Sequence, residues 1–334
     1  MNEHRKIYKG NQLDWYVNVG LPTDSYHDKR LSGIYSTLVQ AAWVVSVEPD
    51  PIKISNISQV LKQLLRGGSV VINDEEELQA RQLHPDAIGL FPEFVAQITG
   101  YVRSPMRQPD LHALVDVGAG TVDATMFNVH EKDGEDTFPI FAKSVEPLGV
   151  HYLVRHRLKK SNYEGRWQPE AHDKPPEKSE FARRLGITPQ QLDTIDVPFR
   201  KKINKQVIDV MKHTKQKRYR MSRHWESGVP FFLCGGGSNM DFYIELVDKI
   251  ENDGGQFKVR KVSLPKPDRL IAKKLPRHAY DRLSVAYGLS FDAFDIGEII
   301  EISEIEDEHD INSTGFAICD RCRGTGEPMG RCPK

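Results

Sequence analysis

The stretch Val115-Asp116-Val117-Gly118-Ala119-Gly120-Thr121-Val122-Asp123 constrains the fold more than any other part of the sequence. An apolar run ends in an acid, turns through two glycines, and re-enters a second apolar run through Thr121 and Asp123. Glycines in such a turn let backbone N–H groups approach an anion without obstruction by a Cβ. Thr121 adds a hydroxyl donor, and Asp116 and Asp123 suit water molecules around a bound Mg²⁺. A Gly-rich hairpin with incidental acids fits this local pattern equally well. A second turn shifts the balance. Phe231-Phe232-Leu233-Cys234 is a short apolar strand ending in Gly235-Gly236-Gly237-Ser238, ahead of a helical pattern through Phe242, Ile244, Leu246, Val247 and Ile250. A helix N-terminus of that kind suits a phosphate or a ribose. Two such turns, far apart in sequence, predict two subdomains closing over one nucleotide.

The elements around these turns alternate between strands and helices. Strands are expected at Ala113 to Val117, Val122 to Val129, Pro139 to Val145 and Lys258 to Val262. The second carries apolar residues on both faces, so both faces should be covered. Helical spacing runs through Ile34, Leu38, Ala42 and Val45, from about Pro92 to Val102, through Ile203, Val207, Ile208 and Met211, and around Asp281 to Leu289. Residues 159–180 mix charge, Pro175-Pro176 and scattered aromatics without a period, which predicts an exposed insertion. A chain of 334 residues accommodates about two domains, and 39% apolar with 28% charged residues is a globular composition. Lys+Arg and Asp+Glu stand at 46 against 47, a formal net charge of -1, so the global charge gives no support to a nucleic-acid or membrane-surface role. No apolar run is long enough to span a bilayer, no secretory leader is apparent, and the cysteines do not form a disulfide framework. A cytoplasmic location is expected.

The octet Asp116 to Asp123 resembles the second phosphate motif, Asp-x-Gly-x-Gly-Thr-x-Asp, of the superfamily that holds actin, the large heat-shock chaperones and the sugar kinases. Gly235 to Ser238 resembles its adenosine motif. Leu148-Gly149-Val150 falls where chaperone relatives have a Leu-Gly-Gly turn, and Ala286-Tyr287-Gly288-Leu289 resembles the closing helix, where small residues let two helices cross closely. Val19-Gly20-Leu21-Pro22 resembles the chaperone strand ending in Val-Pro. The resemblance covers roughly residues 14–291. It implies an α/β, ribonuclease-H-like fold of actin type, with a mixed sheet flanked by helices and a second, mostly helical subdomain over about 150–228. Residues 1–110 would be the remainder of the first subdomain and 111–295 the half that binds the second phosphate and adenosine. The implied ligands are ATP or ADP with Mg²⁺. Gly118, Ala119, Gly120, Thr121 and Gly235 to Ser238 would bind them, and Asp116 and Asp123 would act on the metal and its water.

The sequence also departs from that pattern. The family's first phosphate motif, an Asp-x-Gly-Thr hairpin, does not occur in it. A metal-holding Glu-Pro of chaperone relatives would align Phe91 with the Glu, leaving Glu93 beyond Pro92 as a substitute or an ordinary first-turn acid. Both departures weaken hydrolysis more than binding, because phosphoryl transfer depends on positioning and charge neutralisation. The basic run Lys212 to Arg223 holds Lys217, Arg218 and Ser222 where relatives grip adenine, although the spacing is off by a residue. A solvated helix face or a local nucleic-acid patch reads the same residues. After an acidic linker over 296–318, residues 319–334 carry Cys319, Cys322 and Cys332, which resemble the zinc-binding repeats of J-domain chaperone partners. Thiolates at that spacing suit Zn²⁺, with a fourth ligand still needed. The expectation is an ATP- or ADP-binding chaperone-like or actin-like protein with protein partners. Neither a membrane nor nucleic acid is expected as a partner. The alternatives are a catalytically inert nucleotide-sensing scaffold and an actin-like filament protein.

Overall fold

Branched and aromatic residues with a period of two become strands, and the longer periodic runs become helices. In the computed structural model, residues 6–9, 11, 14–23, 26, 28–47, 52–65, 83–132, 134–165, 175–252, 257–273 and 277–300 are described. The chain divides into two compact units, residues 1–93 and 94–334. The break falls after Glu93, earlier than the boundary near 110 expected from the sequence, because residues 94–102 pack onto the larger unit's own sheet.

In the first unit, strand β1 (Val17–Leu21) pairs in parallel with β2 (Ile88–Pro92). Helix α1 (Lys29–Val47) starts at Asp28, whose carboxylate accepts the amides of Arg30 and Leu31 at 2.8 and 3.2 Å. It packs on α2 (Ile54–Leu65) through Ala41, Val44, Val45 and Val60. Of the residues expected on its apolar face Val45 is buried, whereas Ile34 and Leu38 stay 39% and 45% exposed.

The second unit is built on a six-stranded sheet. Helix α3 (Glu93–Val102) leads to β3 (Asp110–Val117), β4 (Val122–Lys132) and β5 (Glu135–Glu146), which form an antiparallel meander. Three helices follow: α4 (Val150–Lys160), α5 (Lys178–Leu185) and α6 (Pro189–His213). A π turn at Thr214–Arg218 and the short α7 (His224–Ser227) lead into β6 (Val229–Cys234), α8 (Asp241–Asn252) and β7 (Val259–Val262). A 3₁₀ segment (Arg277–Arg282), α9 (Ser284–Gly288), α10 (Ala293–Ile296) and β8 (Glu298–Ile300) complete it. The spatial order is β7-β6-β3-β4-β5-β8, with β6 parallel to β3, β7 parallel to β6 and β8 parallel to β5. The first five strands thus stand in the ribonuclease-H order: an antiparallel meander extended beyond its first strand by two parallel strands. The α/β fold expected from the sequence is present.

Helices cover both faces of this sheet. On one face Phe94 meets Phe127 and Tyr101 meets Phe232, with ring centroids 5.4 and 4.8 Å apart. On the other, Phe199, Ile203, Val207 and Met211 of α6 and Phe242 and Leu246 of α8 pack with Val115, Ala124, Met126 and Phe231. Helix α6 therefore belongs to the main core, not to a separate helical subdomain. A smaller cluster of Val154, Phe181, Ala182, Leu185 and Leu192 joins α4 and α5 to the start of α6. Helix α9 crosses α3 so closely that a Cβ on Gly288 would lie 1.9 Å from the Ala96 carbonyl, which is why that helix carries a glycine there.

One buried group makes stability depend on pH. His112 is fully buried, stacked between Phe127 and Phe232 at 5.5 and 6.0 Å. Its Nδ1 lies 2.7 Å from the Asp110 carbonyl, to which it must donate, and its Nε2 lies 3.0 Å from the Tyr101 hydroxyl. Burial pushes its pKa down to about 4, and the nearby His224 and Arg260 push the same way, against Asp110. The folded pKa is below the unfolded value, so this stabilisation is present above about pH 6.5 and is lost as pH falls towards 4. The whole effect is roughly 3 kcal/mol. Urea unfolding measured from pH 7 to 4 should show that loss, and His112→Gln should flatten it.

Candidate functional site

The sheet itself shows where a ligand belongs. From β3 the chain continues to β4 on one side, while β6 leads to β7 on the other, so the strand order reverses between β3 and β6. In open α/β sheets the crevice outside the carboxyl ends of the strands at such a reversal is the ligand site. Both Gly-rich turns lie there. Asp116 is in register with Cys234, the last residue of β6.

The two loops touch. The Gly237 amide donates to the Val117 carbonyl at 2.9 Å. Gly235 has φ +85°, and a Cβ on it would sit 2.0 Å from Asp116 Oδ1, so only glycine lets the β6 turn pass the acid. A Cβ on Gly237 would meet Val117 at 2.4 Å and Val150 at 2.7 Å. The two turns thus form one wall within a single unit, which corrects the expectation that they sit on two subdomains.

The loop after β3 is held by a helix end. Helix α4 has no side-chain N-cap. Its leading amides need acceptors, and the hairpin supplies them. Gly149 donates to the Gly120 carbonyl at 3.1 Å, Val150 to Gly118 at 3.1 Å, and His151 to Ala119 at 2.8 Å. No cis peptide occurs among the described residues, and in a trans peptide the N–H points away from its own C=O. The amides of Ala119, Gly120 and Thr121 therefore all point away from α4. These three residues are exposed, and their amides donate to no other protein group among the described residues. Three successive amides on one side make an anion-binding concavity. Gly149 is required because a Cβ there would lie 2.6 to 2.7 Å from the backbone of Gly118, Gly120 and Thr121. Tyr243, from the helix after the second loop, braces this corner by donating to the Leu148 carbonyl at 2.9 Å.

The crevice is acidic beside the amides. Asp116 and Asp123 face each other across the hairpin as register partners. Asp281, in the 3₁₀ segment, has its pKa pushed up to about 6 by burial. Burial, then Asp116 and Asp281, also push the Cys234 thiol up, so it is inert as a nucleophile. No group of three or more His, Cys, Asp or Glu arranged to hold a metal directly occurs among the described residues. Two carboxylates acting through water suit Mg²⁺, which keeps most of its hydration shell.

Gln97 was not singled out by the sequence reading. Its Nε2 donates to Asp116 Oδ2 at 2.5 Å, and its Oε1 is buried without a hydrogen-bond partner among the described residues. A buried acceptor left open in this way is where an ordered water or ligand donor is expected. The available signal was an amide in the middle of Phe94 to Val102, a segment otherwise almost wholly apolar and buried throughout. Ser238 is also buried, with an Oγ that has no hydrogen-bond partner among the described residues.

Other candidates lie elsewhere. Glu93 occupies the first turn of α3 as the last residue of the first unit. Lys217 and Arg218 sit in the π turn after α6, and Ser222 donates to Asp110 Oδ2 at 2.8 Å. Asp110 opens β3 while Asp116 nearly closes it, six residues and so about 20 Å apart. The basic run thus lies at the opposite end of the sheet from the crevice and is not brought to it. Cys319, Cys322 and Cys332 lie outside the described residues. A cavity of about 650 Å³ between β5 and α6 is lined by none of the loop residues. Among the described residues no helix is long and apolar enough to cross a membrane.

Fold and site together define an α/β protein whose two Gly-rich turns meet at the carboxyl ends of its central strands. No protein-family model and no curated protein matches the sequence. Among solved structures the chain is similar to a non-polymerisable quadruple mutant of pCBH ParM, at 13% identity and TM-score 0.45, over 82% of this chain and 66% of that one. It is similar to MreB 5 of Spiroplasma citri bound to AMPPNP, at 13% identity and TM-score 0.39, over 65% and 61%. It is also similar to Ta0583, an archaeal actin homolog, at 15% identity and TM-score 0.36, over 60% and 54%. The chain spans just under two thirds, or less, of the length of these structures.

Proposed function

We propose that this chain binds ATP or ADP with Mg²⁺ in the manner of an actin-like ATPase domain, its phosphates held on the amides of Ala119, Gly120 and Thr121. The observation that carries this is the helix-capped hairpin: α4 consumes three successive loop carbonyls, which leaves three amides pointing away from that helix. The residues also fit the metal. Asp116, fixed by Gln97, and Asp123 would hold its coordinated water, and Mg²⁺ would neutralise the phosphate charge. Gly235 and Gly236 keep the second loop free of side chains where the rest of the nucleotide would lie, and Ser238 supplies a buried hydroxyl. The sequence has no second hairpin of the Asp-x-Gly-Thr kind to face this one, so charge developing on a transferred phosphoryl group would be met from one side. Binding without sustained turnover is the expected behaviour.

Calorimetry with Mg·ATP tests this. Binding in the micromolar to millimolar range is expected, weakened about tenfold, or about 1.4 kcal/mol, by Asp123→Ala. Absence of binding would overturn the reading of the crevice. Robust steady-state hydrolysis by the purified chain would overturn only the expectation of weak turnover.

A further inference from the structure

The end of the sheet away from the crevice carries a concentration of positive charge that nucleotide binding does not use. Between Asp209 and Glu226 the chain has six Lys or Arg and no acid, in a protein of formal net charge -1. The fold adds two more cations from a distant segment. Lys215 Nζ lies 5.4 Å from the Trp225 ring centroid and 5.6 Å from that of Phe257, which places the π turn beside Lys258. The Val229 amide donates to the Lys258 carbonyl at 2.9 Å, and Arg260 Nη2 donates to Gln108 Oε1 at 2.6 Å, beside the start of β3. Lys215, Lys217, Arg218, Arg220, Arg223, Lys258 and Arg260 therefore gather at one end of the sheet.

The frame beneath them is fixed. Tyr219 stacks on Phe141 at 4.7 Å, Trp225 Nε1 donates to the Tyr219 carbonyl at 2.8 Å, and Ser222 is tied to Asp110. Most of these cations also lack a paired carboxylate among the described residues. Arg103, Arg107, Lys178 and Arg200 of the same unit each pair with a carboxylate. Lys212, Lys215, Lys217, Arg223, Lys258 and Arg260 form no ion pair among the described residues. From this we infer that the surface formed by the π turn, the segment up to Arg223, Lys258 and Arg260 binds the phosphate backbone of a nucleic acid. A protein partner fits it poorly: interface cores are apolar and depleted of lysine, and Met221 is the one large apolar residue of the 212–223 segment more than half exposed. Backbone phosphates need only fixed, uncompensated cations, and they are read through counterion release. The near-neutral net charge does not oppose this, because the field is local to one end.

Fluorescence anisotropy with a labelled 30-base-pair duplex, titrated with the full chain from 50 to 200 mM salt, tests the inference. A dissociation constant of about 1 to 100 μM is expected, with a steep loss of affinity as salt rises. Lys217→Gln, Arg223→Gln and Lys258→Gln together should weaken binding at least tenfold at 50 mM salt. They should also make the log–log salt slope shallower by up to about 3, since each phosphate contact contributes about 0.9. The comparison variant carries Lys159→Gln, Lys160→Gln and Lys201→Gln, the same change in charge on other exposed positions, and should bind as the parent does. No binding at 50 mM salt, equal losses in both variants, or displacement of the duplex by poly-glutamate as readily as by unlabelled DNA of equal charge would each overturn it.

Discussion

Replacing Gly236 by valine is expected to reduce Mg·ATP affinity by at least about 100-fold, or about 2.7 kcal/mol, while leaving the unfolding temperature unchanged. A Cβ at Gly236 meets no heavy atom within 4 Å, its φ is not in the left-handed region, and the residue is exposed. The folded chain therefore tolerates a side chain there, but a nucleotide seated in the crevice would collide with it. Gly235, one residue earlier, behaves differently. Its φ of +85° and the 2.0 Å approach to Asp116 Oδ1 mean that Gly235→Ala strains the backbone and pushes the acid aside. That variant should lose about 1 to 3 kcal/mol of stability as well as affinity. The pair separates a blocked ligand from a damaged fold. Gly236→Val with parental affinity would show that the crevice is not where the nucleotide sits, however the loop is built.

Much of this loop was legible in advance because its chemistry is local. Val115 to Asp123 specifies a strand, a tight turn and a second strand within nine residues, and nothing distant is needed to read it. What α4 does there was not legible from spacing. Gly149 is demanded by a backbone approach between segments almost thirty residues apart, and only the resemblance to a Leu-Gly-Gly turn marked it. Lys217 and Arg218 were candidates for the nucleotide only through the resemblance, because relatives grip adenine from that helix. Helical spacing shows which face a residue occupies but not which end of the sheet the helix has reached. Here the segment after α6 reaches Asp110 through Ser222, and the chain must still run the length of β6 before it meets Gly235. Gln97 was hidden because a single amide in an apolar helix reads as a tolerated polar residue until its partner across the sheet, Asp116, is known. The capping box of Thr188 and Gln191, with Pro189 at the first helical position, announces α6 in sequence terms alone. Its burial against β4 and β5, through Gln206 bonded to the Val122 and Ser144 carbonyls at 2.7 and 3.1 Å, does not.

The largest loss of stability is expected from Asp196→Ala, at about 3 to 5 kcal/mol. Arg157 of α4 and Asp196 of α6 form a two-pronged pair, Nε to Oδ1 at 2.9 Å and Nη2 to Oδ2 at 2.6 Å. Their side chains are only 4% and 2% exposed, and the guanidinium also lies 4.8 Å from the Phe181 ring centroid. Removing the acid leaves a cation buried against aromatic rings with its donors unmet, and that unmet charge, more than the lost attraction, sets the cost. Exchanging both partners for leucine should cost far less, within about 1 to 2 kcal/mol, because no charge is then stranded. The pair also reaches the functional site through α4. The carboxyl-terminal part of that helix is held by Asp196, and its first amides hold the carbonyls of Gly118, Ala119 and Gly120. Loosening α4 in Asp196→Ala should therefore lower Mg·ATP affinity even at temperatures where the variant is fully folded, whereas the leucine pair should bind nearly as the parent does. Chemical unfolding of the three proteins, followed by calorimetry on each, checks both effects. A loss below about 1 kcal/mol in Asp196→Ala would mean that water reaches the guanidinium and that α4 is positioned by its apolar contacts with Phe181 and Leu192 instead.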